Sequence, residues 1–173
     1  YQAVQIGGQL WMKENLKVTH YNNGDEIPAG LDNDAWTNAT EGAYAIYDDD
    51  PANADIYGNL YNWYAVNDER GVCPESYHVP SDDEIKQLEM YLGMSESEVN
   101  RTEDYRGTNE GSKLAGNAGL WDNGYLENNS EFGTSGFNGF PTGYRSSGGG
   151  NYHYMGNYGY FWSSTESSSL HVW

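Results

Sequence analysis

Apolar and polar residues alternate at the start of the chain. Ala3-Val4-Gln5-Ile6 is followed by Gly7-Gly8 and then Gln9-Leu10-Trp11-Met12, the pattern of a β-hairpin. Glu14-Asn15-Leu16 reads as an extension of its second strand. The period changes further on: Ile85, Leu88 and Leu92 recur at helical spacing. The boundaries of that helix are marked. Pro80 pushes the residue before it towards extended geometry. Ser81 and Glu84 stand three apart, as a capping box requires. Asp82 and Asp83 place negative charge at the positive end of the helix dipole, and Gly93 is a natural stop. The pattern predicts a helix over Asp82–Leu92, entered from an extended Tyr77–Val79 and packed on a small antiparallel sheet that contains Tyr160–Ser164.

Weaker patterns fill in the rest. Ser95 and Glu98 repeat the capping box and open a second short helix, and Ser112–Ala115 allows one more helical turn. Ala43–Tyr47 and Tyr160–Glu166 are strand-like, and Leu170 begins another strand. Leu60–Val66 fits either a strand or a helix with Leu60, Trp63 and Tyr64 on one face. Gly136–Arg145 alternates glycine with aromatics, as extended chain does on crossing a tight core. Asp48–Asp55 reads as an acidic loop. Trp36 and Trp121 are expected to anchor the core, together with Phe161 and Trp162.

Composition adds constraints. The apolar mass of the 173 residues is aromatic, with 16 Tyr, 6 Trp and 4 Phe, which argues against disorder. Twenty-two glycines imply many turns. The expectation is a single α+β domain over residues 1–173, built of small twisted antiparallel sheets, two or three short helices and long loops. A net charge of −18 disfavours nucleic acid, which is bound by neutralising phosphates with Lys and Arg. It equally disfavours anionic membrane surfaces. No apolar stretch is long enough to span a bilayer. Cys73 stands alone and is expected to be buried and unpaired within this chain.

The inventory for chemistry is thin. His20, His78, His153 and His171 form no metal-binding spacing, and a single Cys gives no thiolate cluster. His78 is expected to be a core histidine. Asp48, Asp50 and Asp55 offer hard oxygen ligands suited to Ca2+, although the EF-hand glycine and terminal Glu are missing. The plainer reading of that loop is a solvated turn. No G-x-S-x-G elbow is present. Carboxylates are plentiful, but abundance alone does not identify a glycosidase pair.

Gly8–Leu16 (GQLWMKENL), Tyr57–Val66 (YGNLYNWYAV), Cys73–Leu88 (CPESYHVPSDDEIKQL), Gly136–Arg145 (GFNGFPTGYR) and Tyr158–Glu166 (YGYFWSSTE) together resemble the Fibrobacter succinogenes major paralogous domain, in that family's order. The resemblance implies a C-type lectin-like fold of the formylglycine-generating-enzyme branch. There an aromatic helix precedes the main helix, which favours a helical Leu60–Val66. It also implies an exported or surface protein of Bacteroidetes and related bacteria. Ser76-Tyr77-His78 stands where the family has Gly-Trp-His. The family's closing strand, ending in Ser-Val-Arg-Cys, does not follow Tyr158–Glu166. The resemblance thus leaves Cys73 without its expected partner and the domain without its last strand. Formylglycine-generating enzymes use a pair of cysteines, which this chain cannot supply, so no enzymatic activity is expected.

The segment after Gly143 carries the binding expectation. Gly148-Gly149-Gly150 cannot hold a regular element, so its neighbours belong on surface loop, where function concentrates. Tyr, Ser, Gly and Asn dominate there, the composition of a paratope. Tyr144, Asn151, Tyr152, His153, Tyr154, Asn157, Tyr158 and His171 are the candidate contacts. The alternative for the tyrosines is that they fold inward. Arg145 to Trp173 also resembles, in composition and position, the rewritten C-terminal regions of diversity-generating-retroelement variable proteins. Non-catalytic binding of a protein, cell-surface or glycan ligand by residues 143–173 is the reading that follows. A structural or adhesive surface module is the alternative.

Overall fold

The computed structural model describes residues 1–102, 105–168 and 171–172, with side chains described through Glu166. In chain order these form β1 (Ala3–Ile6), β2 (Gln9–Met12), α1 (Asn33–Thr37), β3 (Tyr44–Ala45), α2 (Pro51–Tyr57), β4 (Leu60–Tyr61) and α3 (Trp63–Val66). They continue through α4 (Asp82–Leu92), α5 (Glu96–Val99), α6 (Glu110–Leu114), β5 (Tyr144–Arg145), β6 (Tyr152–His153), β7 (Glu166–Ser168) and β8 (His171–Val172). The fold is α+β: the described strands pair as four two-stranded antiparallel sheets among six short α-helices. The chain divides into two units, Tyr1–Glu14 with Ser81–Phe140, and Asn15–Pro80 with Pro141–Trp173.

In the first unit β1 and β2 form the predicted hairpin, with Val4 opposite Trp11 and Ile6 opposite Gln9. Gly7 turns the chain at φ +59, and a Cβ there would press on the Tyr91 ring. α4 has the predicted bounds. The Ser81 hydroxyl accepts from the Glu84 N–H, and the Glu84 carboxylate accepts from the Ser81 N–H at 2.8 Å. Its apolar stripe buries Leu88 and Leu92 against Ile6, with Val4, Trp11, Leu114 and Phe137 packed around them. The sheet beneath α4 is therefore the N-terminal hairpin, not one containing Tyr160–Ser164. α5 is capped by Ser95 as predicted. The last carbonyls of α6, unpaired within any helix end, accept from the segment that follows: Gly133, Ser135 and Gly139 donate to Ser112, Lys113 and Leu114. Trp121 is only half-buried, its indole donating to the Gly116 carbonyl.

In the second unit the core is Tyr21, Ile27, Tyr61, Ala65 and Val72, with Trp36, Ala43 and Ala45 as a second cluster. Trp36 is the buried anchor its sequence context suggested. Leu60–Val66 is half strand and half helix. Leu60 and Tyr61 pair with Ala45 and Tyr44. Asn62 then caps α3, its carbonyl oxygen accepting from both the Ala65 and the Ala43 N–H. One amide thus joins the ladder to the helix. The acidic loop also acquires structure. Tyr47–Asp49 is a tight turn, Asp50 caps α2, and Pro51 occupies the first helical turn, where its missing N–H costs nothing.

Other expectations are corrected. Glu14–Leu16 is not part of β2. Tyr160–Ser164 lies outside the sheets, and the strand starts at Glu166. Its polar groups are engaged one at a time: the Ser164 N–H donates to Pro80, and the Trp162 indole donates to the Tyr61 carbonyl at 2.8 Å. Phe161 and Trp162 are exposed by 52% and 37%, not core. The Trp162 ring leans on Trp63, centroids 5.8 Å apart. His78 is exposed rather than a core residue. Cys73 is a half-buried free thiol packed against the Tyr21 cluster. Among the described residues no helix is long and apolar enough to cross a membrane.

A candidate ligand surface of stacked aromatics

β5 and β6 flank the loop Ser146–Asn151. The Ser146 N–H donates to the Asn151 carbonyl at 2.8 Å, and the Gly150 N–H donates back to Ser146 at 3.0 Å. Gly150, at φ +71, passes so close to Asn33 that a Cβ would sit 2.5 Å from its Cα. The register sets Tyr144 opposite His153 and Arg145 opposite Tyr152. Successive strand residues point to opposite sides. The hairpin therefore sorts its four side chains into two faces.

The inner face is an anchor. Arg145 is 7% exposed. Its Nε donates to the Gly150 carbonyl at 2.9 Å, and one terminal nitrogen donates to the Leu31 carbonyl at 2.8 Å and to Asn33 Oδ1 at 3.3 Å. Its guanidinium lies 4.6 Å from the Trp36 ring centroid and 4.9 Å from that of Tyr152. The Tyr152 hydroxyl donates to Asp49 Oδ1 at 2.7 Å. Burial, and then this bond to a carboxylate, push the phenol well above its ordinary pKa, so it stays a donor.

The outer face is open. Tyr144 meets His153, Tyr154 and Tyr160 at centroid distances of 5.4, 5.9 and 5.0 Å. Tyr158 meets Tyr154 at 5.4 Å and Tyr160 at 6.1 Å. Tyr154, Tyr158 and Tyr160 remain 52%, 44% and 51% exposed. Two backbone features assemble the cluster. Tyr154 adopts φ +65, which a bulky residue seldom does. Strand alternation alone would send it to the Tyr152 side, whereas here its ring lies 5.9 Å from that of its neighbour His153. Gly143 is the second. It donates to the Tyr158 carbonyl and bridges to Gly159, and any Cβ on it would overlap the His153 carbonyl oxygen. Glycine at this point brings three passes of chain close enough for their tyrosines to stack.

The candidate contacts thus separate. Tyr144, His153, Tyr154 and Tyr158 come together, and Asn157 is exposed in the turn between the last two. Asn151 is exposed at the hairpin tip, its side-chain Oδ1 accepting from Asn33 Nδ2 at 3.1 Å. Tyr152 turns inward to the anchor. The side chain of His171 lies outside the described residues, although its backbone forms part of β8. Tyr160 belongs to the face and was missed because its run read as a strand leading into core. Arg145 was missed too. The pairs Tyr144-Arg145 and Tyr152-His153, one on each side of Gly148-Gly149-Gly150, were the available signal for both faces.

The three aspartates do not gather. Asp50 Oδ1 caps α2, Asp55 lies within that helix, and Asp48 stands in the tight turn at φ +54. Among the described residues no group of three His, Cys, Asp or Glu side chains is arranged to hold a metal ion.

Residues 4–173 match the family model of the Fibrobacter succinogenes major domain. No curated protein and no solved structure matches the chain.

Proposed function

We propose that this chain, which belongs to the Fibrobacter succinogenes major domain family, is a non-catalytic binding module of a secreted or cell-surface protein. It takes its ligand on the face of Tyr144, His153, Tyr154, Tyr158 and Tyr160. One observation carries the reading: three stacked tyrosines stay about half exposed while the opposite side of the same hairpin is pinned by a buried arginine. Rigid, amphipathic rings supply contact area with little entropy to lose, and Asn151 and Asn157 at the rim add adaptable hydrogen bonds. The groups gathered are phenols and one imidazole, which suit stacking and hydrogen bonding.

The finer reading is a C-type lectin-like domain whose residues 143–173 vary between copies, as in retroelement-diversified proteins. The short antiparallel ladders, the α3–α4 order and the loop-borne face support it. Sequencing the surrounding locus for a template repeat and a reverse transcriptase tests that part.

Binding is tested on glycan and protein arrays with wild type and the triple variant Tyr154→Ala, Tyr158→Ala, Tyr160→Ala. The expected result is a ligand whose affinity falls at least about tenfold in the variant, with the melting temperature held within a few degrees. A ligand bound equally well by both proteins, or none bound by wild type, would make the face scaffold and favour a structural or adhesive module.

A further inference from the structure

The four tyrosines of the outer face form a closed circuit. Tyr144 touches Tyr154, Tyr154 touches Tyr158, Tyr158 touches Tyr160, and Tyr160 returns to Tyr144, with successive centroids 5.9, 5.4, 6.1 and 5.0 Å apart. Neighbouring rings are inclined at 46°, 78°, 48° and 74°. A tilted ring offers part of its face, which is the negative pole of its quadrupole. A cation resting on such a circuit lies within ~6 Å of several centroids together, the range of cation–π attraction.

Two further observations point the same way. The aromatic rings of this unit already accept guanidinium groups: Arg145 lies over Trp36 and Tyr152, and Arg70 stands 3.9 Å from the Tyr21 centroid. The charge of the chain is also one-sided, 26 acidic against 8 basic residues, and such a field raises the encounter rate with cationic partners. Resting on the binding reading above, we propose that the occupant of this face is a basic segment of a partner protein, with an arginine side chain seated on the Tyr144, Tyr154, Tyr158, Tyr160 circuit.

The test is an NMR titration of tyrosine ring protons at low ionic strength. The probes are a short Gly/Ser peptide carrying two arginines and the same peptide with neutral citrulline in both places. The arginine peptide is expected to shift the Tyr154 and Tyr158 resonances saturably. The citrulline peptide should bind at least about threefold more weakly. Tyr158→Ala, which leaves net charge unchanged, should weaken the arginine peptide similarly, whereas Tyr158→Phe, which keeps the ring, should not. Equal binding of the two peptides, undiminished binding by Tyr158→Ala, or no shift at all would overturn the proposal. The array experiment separates this failure from the wider one. A ligand of another chemistry that still depends on the three tyrosines leaves the face a binding surface and removes only the cationic partner.

Discussion

The guanidinium of Arg145 lies 4.9 Å from the ring centroid of Tyr152, the residue directly opposite it across the β5–β6 ladder. This pair explains how a two-residue ladder can support a surface. An isolated two-stranded hairpin is marginal in water. Here one face is fastened by charge-assisted hydrogen bonds and cation–π contact, which frees the other to present aromatics.

Arg145→Met is expected to lower unfolding free energy by about 2–4 kcal/mol, because it removes the donors from the Leu31 and Gly150 carbonyls as well as the ring contact. Arg145→Lys should recover little of this, since an ammonium cannot reproduce the planar fork. Urea unfolding of the three proteins checks the order. Equal stability of wild type and Arg145→Met would show that the anchor carries no load.

Two glycines in the same region should respond differently. Gly143 has φ +64 and no room for a Cβ against the His153 carbonyl. Gly143→Ala should therefore cost more than about 2 kcal/mol. Gly148 lies outside the left-handed region, and the nearest atom to an added Cβ is Ser146 Oγ at 3.9 Å. Gly148→Ala should change stability by less than about 0.5 kcal/mol. Thermal melting of both variants is the measurement.

The sequence was most legible where local chemistry decides. The α4 bounds follow from Ser81, Glu84 and Gly93, whose caps need nothing distant. The first hairpin follows from alternation and Gly7. What was hidden depends on partners far along the chain. Leu60-Tyr61 is strand because Tyr44-Ala45 comes beside it, and only then can Asn62 start α3. Phe161 and Trp162 look like core in any local window, but Trp162 is held by one hydrogen bond to Tyr61 and a ring contact with Trp63. On the candidate face the composition gave the region and most of the rings. Their sorting into Tyr144 and His153 outside, Arg145 and Tyr152 inside, required the register.

Cys73 should label slowly. Its thiol is half-buried against the Tyr21 cluster, and burial raises its pKa, which lowers the fraction of reactive thiolate. At pH 8 the native protein should react with a disulfide reagent several-fold more slowly than a free cysteine, and denaturant should abolish the difference. Native reaction at the free-thiol rate would place the sulfur in solvent.

Acid stability should be shaped by two carboxylates that pull in opposite directions. Asp68 accepts from Arg70 Nε and Nη2, each at 2.8 Å, and from the Arg70 backbone N–H. The bonds from the Arg70 side chain come first among the causes that hold its carboxyl down to about 2. Unfolded, it titrates near ~3.9. Between these values the unfolded chain binds the extra proton, so the stability Asp68 contributes is whole above about pH 4 and is lost as pH falls through about 2. Glu89 behaves the other way. Burial, only partly offset by Arg106 at 2.9 Å, raises its pKa. The native state then holds the proton more readily than the unfolded chain. Its contribution is fully present below the unfolded value of ~4.3 and is lost as pH rises through the folded one. Asp68→Asn should therefore flatten the fall in stability between about pH 4 and 2. Glu89→Gln should act above ~4.3 instead, where it removes the gain in stability that Glu89 brings as pH falls through its raised folded value. Asp68 is partly solvated, so the change of slope is the quantity to read, by urea unfolding at closely spaced pH values. A profile that Asp68→Asn leaves unchanged would mean that Arg70 gives it no more in the native state than water gives it in the unfolded chain.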